Sequence, residues 1–220
     1  GEILGLAGLM GSGRTEILEA LFGIRKKLGG TVTVNGSRVE VSSPRDAVRA
    51  GFSLIPEDRR RKGLVLIHSV KENAILPIVS RIREHGIFVD EKKANEITDA
   101  QVKRLRIVTD NIGKRVNLLS GGNQQKVVIG KWLAMNPVVM MLDEPTAGVD
   151  IGAKIEIMQI MREFVDSGKA AIFVSSELTE LMAVCDRIIT LYDGTQTGEL
   201  NRLDIHDEEE LQYAIQQKAQ

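Results

Sequence analysis

The sequence predicts an α/β fold, a strand-and-helix core interrupted by a helical subdomain. Three observations carry this expectation. A short apolar run, Ile3–Ala7, leads straight into a glycine-rich loop. Two more apolar runs, Val138–Leu142 and Ala170–Val174, flank the helical pattern of Lys154–Val165. Between about 64 and 136 strand signals thin out, and helical stretches rich in Lys, Glu and Ala take over.

Each element has a local reason. Ile3–Ala7 reads as a buried strand, and Thr15–Phe22 as a helix with Ile17, Leu18 and Leu21 on one face. Thr31–Val34 and Arg38–Val41 alternate apolar and polar around Asn35-Gly36, the sequence of a tight hairpin. Ser43-Pro44 places an N-cap before a proline at the first helical position, opening a helix to Ala50. Phe52–Ile55 is a further buried strand, and Arg187–Tyr192 and a glycine-marked hairpin follow Ala170–Val174. Asp207 can cap a last amphipathic helix carrying Leu211 and Ile215. The expected layout is a core over about 1–63 and 137–205, a helical subdomain over about 64–136 and a terminal helix over about 207–218.

Bulk properties narrow the classes. At 220 residues the chain fits one domain with a real core. Its net charge of −1 gives no general attraction to nucleic acid. The lone Cys185 rules out an internal disulfide framework and suits a reducing compartment. No apolar run approaches membrane-spanning length, and the opening residues do not read as a signal peptide. The sequence starts on a strand without an initiator methionine, so it reads as a domain excised from a longer polypeptide.

Three motifs carry chemistry. GLMGSGRT, residues 8–15, resembles the phosphate-binding loop G-x-x-x-x-G-K-[ST] with Arg14 in place of lysine. Gly8, Gly11, Ser12 and Gly13 lie between strand and helix, where backbone N–H groups and a helix N-terminus face an anion. Thr15 supplies a hydroxyl. In VVMMLDEPTAGVD, residues 138–150, a buried strand delivers Asp143 and Glu144 to its end. Asp143 with Thr15 can hold Mg²⁺ near phosphates, and Glu144 can orient and deprotonate an attacking water. In LSGGNQQK, residues 119–126, Ser120 can cap a helix starting near Asn123, and Gly121 and Gly122 admit a close-approaching phosphate. Taken singly, these are also a strand-to-helix turn, an acidic cap and a flexible loop.

In this order, the three motifs resemble the ATP-binding-cassette (ABC) ATPase family over essentially the whole chain. LSGGNQQK resembles its signature motif, LDEP its Walker B and Ala147–Asp150 its D-loop. The resemblance implies a P-loop NTPase cassette with a RecA-like core, a β-hairpin subdomain and the inserted helical subdomain. It also implies ATP and Mg²⁺ as ligands. In that family two cassettes dimerise head to tail, each nucleotide lying between one Walker loop and the other cassette's signature. Leu119, Ser120, Gly121, Gly122, Asn123 and Gln124, with Asp150, would then serve a partner's nucleotide.

Four positions depart from the family pattern. Arg14 replaces a compact ammonium with a longer planar fork. Glu16 stands where Ser or Thr often approaches the α-phosphate. Glu57 occupies the Q-loop position, and Ser176 the position of the switch histidine. Together with EDRRRKGLV and SVKENAIL, these changes resemble the C-terminal cassette of tandem ATPases that drive ribose/galactose-type sugar importers. That likeness implies an N-terminal cassette in the same polypeptide, membrane permease subunits meeting a coupling-helix groove, an indirect link to a substrate-binding receptor, and a place on the cytoplasmic face of the membrane. It also implies weak activity for the isolated domain. A non-hydrolytic regulatory half, and import of nucleosides or polyols, are the alternatives.

Other features have bland readings. Arg59–Lys62 is expected to be a solvated loop, because it is short, follows Glu57-Asp58 and lacks aromatics. The histidines His68, His85 and His206 show no metal-ligand spacing and read as surface or loop residues. Met140, Met141, Met158 and Met161 read as core, Trp132 as an anchor of the signature helix, and Cys185 as buried and inert. Val65, Leu66, Val70, Ile75 and Leu76 either line the coupling groove or pack a core.

Overall fold

The computed structural model describes residues 1–84 and 88–216. His85 and the end of the expected terminal helix lie outside the described residues. The chain forms two compact units.

The first unit comprises residues 1–54, 137–145 and 161–220 and is built on a six-stranded sheet. Its strands are β1 (Glu2–Gly8), β4 (Phe52–Ile55), β7 (Val139–Asp143), β8 (Ala170–Val174), β9 (Arg187–Tyr192) and β10 (Thr195–Asn201), in the order β10-β9-β1-β8-β7-β4. β1 pairs in parallel with β8 and β9, β7 in parallel with β8, and β10 runs antiparallel to β9. A central parallel strand is buried on both faces, which is why these runs read as continuous apolar stretches. Ile3, Met141, Leu142, Phe173 and Ile188 are fully buried. Helices α1 (Arg14–Leu21), α7 (Leu178–Val184) and α8 (Glu208–Gln216) pack on the sheet, α1 and α7 against β1 and α8 against β9. At Gly5 a Cβ would fall 2.8 Å from Cys185 Sγ and 3.2 Å from Leu181, so glycine lets α7 lie close on β1.

The expected hairpin is present but shorter, with β2 (Val32–Val34) and β3 (Ser37–Val39) joined by Asn35 and Gly36, both at positive φ. Ser43 caps α2 (Pro44–Arg49) by accepting from Asp46 N, with proline in the first turn.

The second unit comprises residues 55–136 and 146–160. It holds α3 (Val70–Ile75), α4 (Glu91–Arg104), α5 (Gly121–Leu133) and a two-residue pairing of β5 (Arg83–Glu84) with β6 (Phe88–Val89), which the sequence did not announce. Helix α6 (Ile151–Asp166) belongs to this unit as far as Ile160 and to the first from Met161. Helix α3 starts with a reciprocal capping box between Ser69 and Glu72. Ile75, Ile78, Ile82 and Ala94 form a core with Val79, Val89 and Ile97 around it.

Several expectations need correction. Trp132 is half-buried rather than fully buried, with Lys131 Nζ 5.7 Å from its ring. Met158 is likewise partly buried, whereas Met140, Met141 and Met161 are core. Val70 and Ile75 pack inside, while Leu76 is exposed. Among the described residues no group of three His, Cys, Asp or Glu could hold a metal by itself, and no helix is long and apolar enough to cross a membrane.

Candidate functional site

The first unit gathers the phosphate-loop residues. β1 ends at Gly8, the chain turns through Leu9–Gly13, and α1 begins at Arg14. The turn closes with Ser12 N donating to Leu9 O, and Gly194 N donating to Ser12 O holds it from β9–β10. Gly11 and Gly13 have φ of 81° and 98°, conformations that side chains resist. A Cβ at Gly8 would sit 2.4 Å from Ser12 Oγ and 2.6 Å from Leu191 O. Gly13, at the N-cap, offers no side chain to the first amides of α1. Ser12 Oγ is buried and has no hydrogen-bond partner among the described residues. Uncapped amides at a positive helix end, with a spare hydroxyl beneath, form a receptor for an anion.

The acidic residues arrive from β7. Asp143 is its last, buried residue, and Thr15 Oγ1 donates to Asp143 Oδ1 at 3.2 Å. These hard oxygens, one hydroxyl and one carboxylate, fit a divalent cation beside phosphates. Glu144 follows at φ 46°, a left-handed residue pinned by its N–H to Val174 O.

Both oxygens of Glu144 are engaged. Arg14 Nη1 lies 3.9 Å from Oε1, and Ser176 Oγ donates to Oε2 at 3.2 Å. Arg14 Nη1 also donates to Ser175 O at 3.0 Å. Two of the four departing residues, Arg14 and Ser176, therefore meet at Glu144, the candidate base. Ser175 Oγ donates to the buried Glu180 and accepts from Glu177 N, which fixes the turn that presents Ser176. Glu16 points away to an exposed ion pair with Arg25 Nη2 at 3.6 Å. Arg25 offsets the charge that Glu16 brings to the loop, though so exposed a pair adds little stability.

The second unit carries the remaining candidates, described by themselves. Glu57 is exposed just past β4. Ser120 caps α5, which starts at Gly121, two residues earlier than expected. Its Oγ accepts from Asn123 N at 3.4 Å and from Asn123 Nδ2 at 2.9 Å, so its own O–H remains available as a donor. Asn123 Oδ1 also accepts from Val108 N. Leu119 and Gln124 are buried, with Gln124 Nε2 donating inward to Val116 O and Leu119 O. Ser120 is thus the exposed residue of the motif, with Gly121 and Asn123 half-buried and Gly122 buried. Asp150 caps the start of α6 through Ala153 N at 2.9 Å.

A model of the ABC transporter family matches residues 1–147. The chain belongs to the ABC transporter family. The ribose import ATP-binding protein RbsA of Bacillus licheniformis is 45% identical over 208 residues, 94% of this chain and 42% of that protein. RbsA of Lactococcus lactis subsp. cremoris is 44% identical over 214 residues, 97% of this chain and 43% of its own length. A putative ribose/galactose/methyl galactoside import ATP-binding protein of Halalkalibacterium halodurans is 43% identical, covering 99% and 41%. The chain spans less than half the length of these curated relatives. Two solved structures share the fold. One is cbiO1 from Clostridium perfringens, part of the ABC transporter complex cbiONQ, with a TM-score of 0.76, 21% identity and 99% and 84% of the two chains covered. The other is a dimeric ATP-binding cassette in a post-hydrolysis state with ADP and Pi, with a TM-score of 0.75, 23% identity and 91% and 85% covered.

In this ABC domain sequence reasoning missed one residue. Arg59, expected in a solvated loop, sits in a π-helical turn (Arg59–Gly63) and is only partly exposed. Its guanidinium donates from Nη1 to Ala147 O at 2.7 Å and from Nη2 to Gly148 O at 3.1 Å. Asp58 caps that turn at Arg60 N and Arg61 N, so the basic run starts as ordered backbone. A proximal Asp58 was the only available signal.

Proposed function

We propose that this ABC domain binds ATP and Mg²⁺ in a weakened site of its own and lends its signature motif to the stronger site of a partner cassette. The partner is an N-terminal cassette of the same polypeptide, and the pair energises import of a sugar through permease subunits at the cytoplasmic face of the membrane. The observation that carries the reading is an asymmetry. Both oxygens of Glu144 are held by Arg14 and Ser176, while the Ser120 hydroxyl at the head of α5 keeps a donor free.

Within its own site, the loop from Gly8 to Gly13 would cradle phosphate oxygens with backbone amides, and Thr15 with Asp143 would hold the cation. Mg²⁺, when bound, neutralises phosphate charge. Ser176 Oγ takes up one lone pair of Glu144 and Arg14 stands beside the other oxygen, so less of the carboxylate is left to orient water, and Ser176 lacks the reach of an imidazole to a γ-phosphate. In the partner's site Ser120 O–H and the first amides of α5 would donate to the γ-phosphate, with the dipole of α5 adding to the attraction. The 43–45% identity to ribose and galactose import proteins supports sugar as cargo.

The test uses the full transporter. Ser120→Arg is expected to abolish most ATP turnover and transport, and Glu144→Gln to reduce them less. Equal loss, or a deeper loss from Glu144→Gln, would reject the assignment. A second reading, a non-hydrolytic regulatory half, draws on the same engagement of Glu144. Substantial ATPase activity of the isolated domain would dismiss it.

A further inference from the structure

We propose that Arg59 is a positioning residue for the partner's site, a clamp that sets Ser120 and Asp150 in fixed register by tying residues 147–148 to the head of α5. The inference rests on the reading that Ser120 serves a partner's nucleotide, and it adds a residue that no motif assigns.

Three observations converge within the second unit. Arg59 makes a two-pronged contact, Nη1 to Ala147 O and Nη2 to Gly148 O. A guanidinium fork suits two neighbouring carbonyls in a way a point ammonium does not. Gly148 has φ 64°, so the bend that aims both carbonyls at Arg59 favours glycine.

The signature glycines abut the same assembly. A Cβ at Gly121 would lie 2.8 Å from Arg59 Nη2 and 3.1 Å from Gly148 O. A Cβ at Gly122 would lie 2.6 Å from Ala153 Cβ and 3.7 Å from Asp150 Oδ2. The first turn of α5 therefore rests bare backbone on the segment from 147 to 153. Arg59 holds one end of that segment, and Asp150 caps the start of α6 at the other. Gly121 and Gly122 accordingly have a packing reason beyond the admission of phosphate.

The clamp is retained at a cost. Arg59 Nε is buried with no hydrogen-bond partner among the described residues. Burial, aided by Arg60, lowers its pKa, with Asp58 opposing. The cation is partly stripped of water and its Nε is unanswered, a cost set against the two contacts that Nη1 and Nη2 make.

The test compares Arg59→Ala, Arg59→Lys and Ser120→Arg in the full transporter, reading kcat and KM for ATP together with the thermal midpoint. Arg59→Ala is expected to lower kcat about tenfold with KM within about twofold, since it misplaces groups without touching ATP. Arg59→Lys, which keeps charge and stem, falls between it and the parent. If Arg59→Ala does not fold, Arg59→Lys decides alone by lowering kcat at unchanged KM. Parental kcat in the Arg59 variants that fold, with Ser120→Arg inactive, overturns the clamp and leaves the signature reading standing. A fully active Ser120→Arg overturns both.

Discussion

Ser176 Oγ donates to Glu144 Oε2 across 3.2 Å, joining the loop after β8 to the residue after β7. With Arg14 on the other oxygen, the carboxylate is held from two sides. The general pattern of ABC cassettes, from which the sequence departs, has lysine, glutamine and histidine at the positions of Arg14, Glu57 and Ser176. On the proposal that Ser120 serves a partner's nucleotide, restoring all three in a Ser120→Arg background isolates the domain's own site. Turnover there is expected to rise on the order of tenfold, within the range of one well-placed acid–base or electrostatic group. Phosphate release by the full transporter measures it, and no increase would show that Glu144 is limited by something else.

Gly8 is predicted to be intolerant for steric reasons. Its Cβ would meet Ser12 Oγ and the backbone oxygen of Leu191, and the latter cannot rotate away. Gly8→Ala should cost roughly 1–3 kcal/mol and lower the thermal midpoint by about 2–4 °C per kcal/mol. Gly29→Ala, with open space around the Cβ, is the neutral control. Calorimetry of the two variants checks the contrast, and equal midpoints would refute it.

Lys131 gives a pH signature. It is buried on α5, its Nζ donates to Gly63 O, and burial pushes its pKa down to about 8. The unfolded chain holds this proton to about 10.4. Below pH 8 both states are charged and the folded one bears the full cost of burying the cation. Between pH 8 and 10 the unfolded state binds more protons, so stability rises with pH, by up to roughly 3 kcal/mol. Thermal melts of the parent and Lys131→Met at pH 7, 8, 9 and 10 test this. The parent should gain on the variant only above pH 8, and a constant gap would remove Lys131 from the account.

Local signals in the sequence carried far into the fold. Asn35-Gly36 and Ser43-Pro44 each act through their own backbone, and both features stand where expected. Apolar runs located β1, β4, β7, β8 and β9 because strands buried on both faces need no partner to be recognised. The β5–β6 pairing escaped because two residues per strand leave no alternation to read. Asn73 escaped too. It is buried and ties Val65 N, Val65 O and Ser69 O together, which no local pattern announces.

At the candidate site, residue types were legible and their conformations were not. The change from lysine to Arg14 was plain, but not that the fork would turn to Ser175 O and Glu144. Nor did LSGGNQQK reveal that Gln124 faces inward while Ser120 stays out, since both sit in one helical turn of polar residues. Arg59 was hidden for another reason. Its partners at Ala147 and Gly148 lie far along the chain, and a basic run looks the same whether solvated or clamped.

β1 occupies the middle of the sheet, yet Leu4 pairs with Ile172 on one side and Arg187 on the other. As the ribosome delivers the domain, this strand emerges first among the six and then waits for both neighbours until the last quarter has been made. Its bare edges must be shielded meanwhile, and such distant closures make folding slow. Newborn chains of this domain are therefore expected to keep a strand edge open until β8 and β9 have been made.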